Sequence, residues 1–191
     1  MKIVCVLGSP RASANSSMLA ERFCTTAENL GAEVLTFTLN NLDFKGCQAC
    51  MACKTKLDRC ILEDDLTEVL EAVRETDVLV VASPVYYGEV SSQLKGFIDR
   101  TYSYLVPDHV TKSKKSRLAS GKTLVFVLVQ GNPDEKPYAD IFPRYEHFFR
   151  YHGFDESHLI RACGVRLAGE VEDRPELLAL AEETARRLFS N

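Results

Sequence analysis

Two stretches of this chain carry residue types at spacings that could do chemistry, and a third could receive a flat ring. The first is the small-residue loop from Gly8 to Ser17, directly after the apolar run Ile3 to Leu7. Ser9, Ser13, Asn15, Ser16 and Ser17 offer hydroxyl and amide donors, and Arg11 offers a planar cationic fork for phosphate oxygens. A buried strand, a tight turn and a helix with free first amides is how α/β proteins hold a phosphate, and small side chains let the backbone approach it. Two better-known phosphate loops are excluded by spacing. A dinucleotide fingerprint needs three glycines where this loop has only Gly8, and a Walker loop needs Lys before Ser or Thr. The later Gly121-Lys122-Thr123 is no substitute, because Ser116 stands where its first glycine belongs and a strand pattern follows it.

The second stretch is Cys47, Cys50, Cys53 and Cys60, a C-x2-C-x2-C-x6-C run in which Gly46, Ala49 and Ala52 permit tight turns. Thiolates at this spacing suit zinc or an iron-sulfur cluster, and the first three are spaced like the run that wraps a cubane cluster in bacterial ferredoxins. Ile61 stands where the ferredoxin run has proline, so this is no ferredoxin module, and a loop of reduced, unmetallated cysteines is the remaining alternative. Cys5 and Cys24 fall among apolar residues and read as small packing groups. The third stretch, Ser83 to Gly88, carries Tyr86 and Tyr87 out of an apolar run. A flat conjugated ring could lie against these tyrosines, with backbone groups from Val85 to Gly88 bonding its polar rim.

Elements that would position these stretches follow from periodicity. Leu19, Phe23, Ala27 and Leu30 recur at helical spacing, predicting a helix from Asn15 to Leu30 with Asn15 or Ser16 as its cap and Gly31 as its end. Val34 to Leu39 reads as a second strand, Leu66 to Val73 as a helix and Asp77 to Ala82 as a strand. The next helix follows from Val90, Leu94, Phe97, Ile98 and Thr101, and the next strand from Thr123 to Val129. Phe142, Tyr145 and Phe149 predict an aromatic helix that starts or kinks near Pro143. A short strand at Leu159 to Ala162 and a last helix capped by Asp173, with Pro175 in its first turn, complete the pattern. Runs without polar alternation belong in the middle of a parallel sheet. The expected fold is therefore α/β: a three-layer α/β/α sandwich on a five-stranded parallel sheet in the flavodoxin-like order 2-1-3-4-5.

With 191 residues, 46% of them hydrophobic, the chain can build one good core, so a single domain over residues 1–191 is expected, with a cysteine-rich loop at 46–60. A net charge of -4 gives no general affinity for nucleic acid. The apolar start before Gly8 is too short for a signal peptide and Leu124 to Val129 too short to span a bilayer, which predicts a cytoplasmic protein without a membrane segment. Seven cysteines in a reducing compartment favour metal or redox chemistry over structural disulfides. Lys112, Lys114, Lys115 and Arg117 form a basic, mobile connection that could receive the extra phosphate of NADPH or an acidic partner.

Together, Gly8-Ser9-Pro10-Arg11, Asn15-Ser16, the Cys47 to Cys60 run, Ser83 to Gly88 and Gln93 to Arg100 resemble the flavodoxin-like NADPH-dependent FMN reductase family, and within it the iron-sulfur flavoprotein branch. The likeness runs from Met1 to about Arg100 and continues weakly beyond. It implies that Ser9, Arg11, Asn15 and Ser16 hold the FMN phosphate, with Ser13 a further donor in the same loop. It also implies that Pro84, Val85, Tyr86, Tyr87 and Gly88 lie along the isoalloxazine ring and that Gln130, Gly131 and Asn132 meet its far side. A loop with donors for one terminal phosphate and no dinucleotide pattern agrees with FMN over FAD or NAD. The branch implies a 4Fe-4S cluster on Cys47, Cys50, Cys53 and Cys60, where zinc or no metal remains the alternative. No catalytic side-chain arrangement accompanies the loops, so the chemistry falls to the cofactor, with electrons from NAD(P)H passing to a cluster, quinone, flavin or redox protein. The alternative is a non-enzymatic flavin carrier or redox sensor reduced by a protein partner. The resemblance further implies a homodimer or homotetramer, for which Tyr102, Tyr104 and Tyr145 would suit the interface.

Overall fold

A computed structural model of the chain describes residues 1–189. Its central strands are the unbroken apolar runs. β1 (Lys2–Leu7), β3 (Val78–Tyr86) and β5 (Lys122–Gln130) are buried along most or all of their length, as strands covered on both faces must be. β2 (Glu33–Thr38) and β6 (Phe154–Cys163) are partly exposed and close the two edges. All pair in parallel, in the order β2-β1-β3-β5-β6. With the two-residue β4 (Glu89–Val90) left aside, this is the expected order.

Alternation along the strands splits the core in two. Ile3, Cys5 and Leu7 of β1, with Val78 and Val80 of β3, face α1 (Asn15–Asn29) and α6 (Pro175–Phe189). Val4 and Val6, with Leu79 and Val81, face α3 (Leu66–Glu75), α4 (Ser92–Arg100) and α5 (Ile141–His152). The short α2 (Ala52–Thr55) lies in the cysteine loop. Cys5 and Cys24 sit in the first of these cores, as packing residues do. The aromatic residues of α5 are core as well, with Tyr145 stacked on Phe126 at 5.8 Å between ring centres.

Several boundaries differ from the sequence reading. The residue before α1 is Ala14, with no side-chain cap, so neither Asn15 nor Ser16 caps the helix; both lie in its first turn. β3 does not stop at Ala82 but continues through Pro84 to Tyr86 and turns back into β4, with Val85 opposite Val90 and Tyr86 opposite Glu89. Proline is tolerated there because β1 pairs with β3 only as far as Ala82, leaving that edge of β3 free. Tyr87 and Gly88 both have positive φ, at 51° and 76°, which makes the connection a tight hairpin with primed-turn geometry. Val90 is consequently strand, and α4 begins after Ser91, whose side chain accepts from the Leu94 amide at 3.3 Å. α5 starts at Ile141, which places Pro143 in the first turn, where a missing N–H costs nothing. Asp173 ends a 3-10 turn and does not cap α6.

At the C-terminal end of the sheet β1 and β3 part. α1 leaves toward one face and the hairpin and α4 toward the other, which opens the crevice where ligands of such sheets bind. Gly8 sits at the parting point. Its N–H donates to Ala82 O at 2.8 Å and its carbonyl accepts from Ser91 Oγ at 2.5 Å. A Cβ here would stand 2.7 Å from Leu94 Cβ and 3.0 Å from Ala82 O, so no larger residue fits. Among the described residues no helix is long and apolar enough to cross a membrane.

Candidate functional site

The crevice holds a cavity of about 290 Å³. One end is polar. Ser9, buried at 3% exposure, turns its Oγ toward the Arg11 amide at 3.3 Å, and both residues line the cavity with Asn15 and Ser16. The first three amides of α1 have no partner within the helix and present a partial positive charge. Ser16 Oγ is buried and has no hydrogen-bond partner, an arrangement that costs stability unless a ligand supplies one. Pro84, Val85, Tyr86, Val129 and Val165 supply the apolar part of the lining. A molecule with an anionic head and a flat apolar ring suits this division, and FMN has both.

The remaining expected ligand groups divide. Gly131 lines the cavity, while Gln130 and Asn132 do not. Gln130 is buried and its amide donates to the carbonyls of Asn132 at 3.0 Å and Asp134 at 2.8 Å, so it shapes the loop from within. Asn132 Oδ1 accepts from the Asp134 amide in the same turn. Ser13 is exposed and outside the cavity, its carbonyl accepting from the Gly169 amide. Tyr87 projects fully into solvent beside Gly88, and neither lines the cavity. Asn15 lines it, but its side chain is occupied: Nδ2 donates to Leu167 O at 2.6 Å and Oδ1 accepts from the Val171 amide at 3.0 Å. Sequence reasoning missed Val129, Val165 and Arg166, which also line the cavity. The first two are hidden because strand-end apolar residues look like core, and Arg166 because nothing local marks it.

Cys47, Cys50, Cys53 and Cys60 line a second cavity, of about 180 Å³. Ala49 and Met51 have positive φ, at 51° and 59°, an uncommon conformation for residues with side chains that curls the loop tightly between the thiols. In this conformation no group of three or more His, Cys, Asp or Glu among the described residues stands close enough to share an ion. The donor chemistry and the common cavity fit a thiolate-ligated metal, and the thiols would have to draw together to hold it.

Cations fasten this loop. Arg100 is buried at 1% exposure; Nη1 donates to Lys45 O and Asp64 Oδ2, both at 2.8 Å, and Nη2 to Leu62 O at 3.1 Å, so one guanidinium ties the two ends of the loop together. Burial would push the Asp64 carboxyl up, but hydrogen bonds from Arg100 and the Lys45 amide outweigh it and hold it below its ordinary value. Lys54, its pKa pushed down by burial, donates to the carbonyls of Tyr102 and Leu105. Arg117 donates to the carbonyls of Ser103, Leu105 and Cys53. The basic stretch is thus corrected in part: Arg117 staples the cysteine loop and is not free for an anion, while Lys112 and Lys114 are exposed.

Residues 1–135 match the family model of the NADPH-dependent FMN reductases. The chain is similar to an iron-sulfur flavoprotein of Archaeoglobus fulgidus, 38% identical over 104 residues, which is 54% of this chain and 47% of that protein. It is also similar to an iron-sulfur flavoprotein of Methanosarcina thermophila, 37% identical over 101 residues, or 53% of this chain and 52% of that protein. The chain spans about half the length of these curated relatives. Among solved structures it resembles the NAD(P)H:quinone oxidoreductase from Methanothermobacter marburgensis, with a TM-score of 0.77 at 17% identity over 98% of this chain and 96% of that one. It also resembles an FMN-dependent NADH-azoreductase from Bacillus anthracis in complex with FMN, with a TM-score of 0.73 at 15% identity over 98% of both chains. At such identities the likeness shows the fold.

The Arg100–Asp64 clamp gives a pH dependence. A carboxyl whose folded pKa is depressed stabilises the fold above its unfolded value, here the ordinary 3.8, and that contribution disappears as pH falls through the lower folded value. Asp64→Asn is expected to cost about 1.5–3 kcal/mol near neutral pH. In urea denaturation the difference between the variant and the native chain should shrink toward zero on acidification below about pH 4. A difference that is the same at neutral and acid pH would show that the carboxylate charge does not carry the clamp.

Proposed function

We propose, from the premise that the chain belongs to the NADPH-dependent FMN reductase family, that it is an FMN-dependent oxidoreductase drawing electrons from NAD(P)H in the reducing cytoplasm. The observation that carries this reading is the crevice itself, where an unpartnered buried Ser16 Oγ, Ser9, Arg11 and the free amides of α1 adjoin a wall of Pro84, Val85 and Tyr86. FMN, when bound, supplies hydride acceptance and the release of electrons singly or in pairs. The chain's own work is placement. Ser9, Arg11 and Ser16 would hold the phosphate, with Asn15 contributing its amide while its side chain positions the adjoining loop. Pro84, Val85 and Tyr86 would line the ring, Gly131 would border its far side, and the Tyr87-Gly88 turn would border the mouth through which a nicotinamide enters. No His, Asp, Glu or Lys among the described residues lines this cavity, so the chain contributes orientation and exclusion of water and no side-chain acid or base. The acceptor would be a quinone, a free flavin, a redox protein or a cluster on the same chain.

We also propose that Cys47, Cys50, Cys53 and Cys60 hold a 4Fe-4S cluster, which would supply one-electron transfer. The four thiols share one cavity, with the loop ends already clamped by Arg100. A third proposal is a homodimer or homotetramer. Of the aromatics expected at its interface, Tyr104 and Tyr145 are instead core, at 1% and 4% exposure, and Tyr102 is half-buried. The support now comes from an apolar groove of about 560 Å³ beside the cysteine loop, lined by Tyr102, Phe148 and Tyr151.

Anaerobic mixing of the FMN-loaded protein with NADPH is expected to bleach the flavin rapidly. A flavin that stays oxidised with NADPH and NADH, yet accepts electrons from a reduced ferredoxin, would favour the carrier reading. Protein made and reconstituted anaerobically is expected to contain iron and sulfide, and Cys53→Ala should lose both while keeping FMN. Absence of iron and sulfide from the native chain under those conditions would leave a plain FMN reductase. Light scattering at micromolar concentration is expected to report a dimer or larger, with Phe148→Glu shifting it toward monomer; a monomeric native chain would refute the assembly.

A further inference from the structure

Residues 164–171, which lie beyond the segment matched to the family, are bound tightly to the first loop. Besides the two Asn15 bonds to Leu167 and Val171, the Gly169 amide donates to Ser13 O at 3.1 Å and Arg11 Nη1 donates to Arg166 O at 2.9 Å. From the other side, the Gly164 and Val165 amides donate to Asn132 O and Gln130 O. The segment is therefore pinned between the loops after β1 and β5, and it delivers one charged side chain to the crevice, that of Arg166.

The Arg166 side chain is held at its root and free at its tip. Its Nε donates to Gly131 O at 2.9 Å, and its Cγ lies where a Cβ on residue 131 would come within 2.9 Å, so the glycine makes room for it. Nη1 and Nη2 have no protein partner among the described residues. Glu170 is the nearby carboxylate, and its Oε2 accepts from the Arg166 and Leu167 amides at 2.7 and 2.8 Å. Those two bonds, Leu167's first, hold its pKa below the ordinary value and commit it to shaping the turn.

We infer that Arg166 is a second guanidinium on the FMN phosphate, acting with Arg11 and Ser16, and that it makes this chain select the phosphorylated flavin over riboflavin. The inference rests on the FMN reading above and deepens it. A phosphate monoester carries close to two negative charges near neutral pH, and Arg11 balances only one. A guanidinium anchored through Nε presents its two terminal nitrogens as a fork matched to phosphate oxygens. Ser16 Oγ, buried and unpartnered in the same cavity, independently marks a missing acceptor or donor at that end. Asn15 and Glu170 are positioning residues, which fix the backbone from which Arg166 reaches.

The test is titration of the apoprotein with FMN and, separately, with riboflavin, followed by quenching of flavin fluorescence, for the native chain, Arg166→Gln and Arg166→Lys. The native chain should bind FMN more tightly than riboflavin. Arg166→Gln should raise the FMN Kd by about tenfold to a hundredfold while leaving the riboflavin Kd unchanged, and Arg166→Lys should recover part of the loss. Equal weakening of both flavins would overturn the inference and make Arg166 a shaper of the crevice, as would no change in either. A native chain that binds neither flavin would overturn the FMN reading as well, which separates the two failures.

Discussion

Everything near the crevice depends on the close approach at Gly8. Three chain segments meet there: the end of β1, the point in β3 where pairing with β1 stops, and the start of α4. The Gly8 bonds to Ala82 and Ser91 lock them together. Ser91 serves three neighbours at once, since its amide also donates to Ser83 Oγ and its hydroxyl caps α4. The absence of a side chain at residue 8 lets the Ala82 carbonyl and the Leu94 side chain come close, which seats the start of α4 against the end of β1. A parallel sheet places both strand ends on the same edge, so the polar loop and the aromatic hairpin face one cavity although more than seventy residues separate them.

A second regularity is the way polar side chains are spent. Asn15, Gln130 and Arg117 look in sequence like ligand donors, and each is instead consumed by backbone groups, those of a neighbouring loop for Asn15 and Arg117 and those of its own loop for Gln130. The reason is the cost of leaving buried or half-buried peptide groups unpaired where irregular segments pack together. Loops at the edge of a sheet cannot satisfy one another through a ladder, so long side chains cross between them. What is left unpaired around the crevice is small and specific: Ser16 Oγ, the first amides of α1, the Arg11 guanidinium nitrogens other than Nη1 and the terminal nitrogens of Arg166.

The same economy governs the cysteine loop. It contains only one helical turn, α2, and its ends are held by Arg100, its middle by Lys54 and Arg117. The buried guanidinium of Arg100 is held by the Asp64 carboxylate and by the carbonyls of Lys45 and Leu62, so the clamp joins the end of α4 to both flanks of the cysteine loop.

By itself the sequence determined the layers and the strand order, because these rest on local regularities. Unbroken apolar runs mark strands buried on both faces, and helical periodicity marks the covering helices. It misplaced the end of β3, since Pro84 signals a stop in isolation but is compatible with a strand whose neighbour has already departed. Tyr104 and Tyr145 read as surface aromatics because sequence spacing does not reveal the hydrogen bonds that bury them, to Leu70 O and Glu89. Tertiary structure alone decided which polar groups remained unpaired, and so which face the crevice. Arg166 is the clearest instance: it lies 155 residues from Arg11, and only the parallel register of β6 beside β5 and the Asn15 bonds across the gap bring the two guanidinium groups to one cavity. Partnership between polar groups is a long-range property of packing, and no window along the chain contains it.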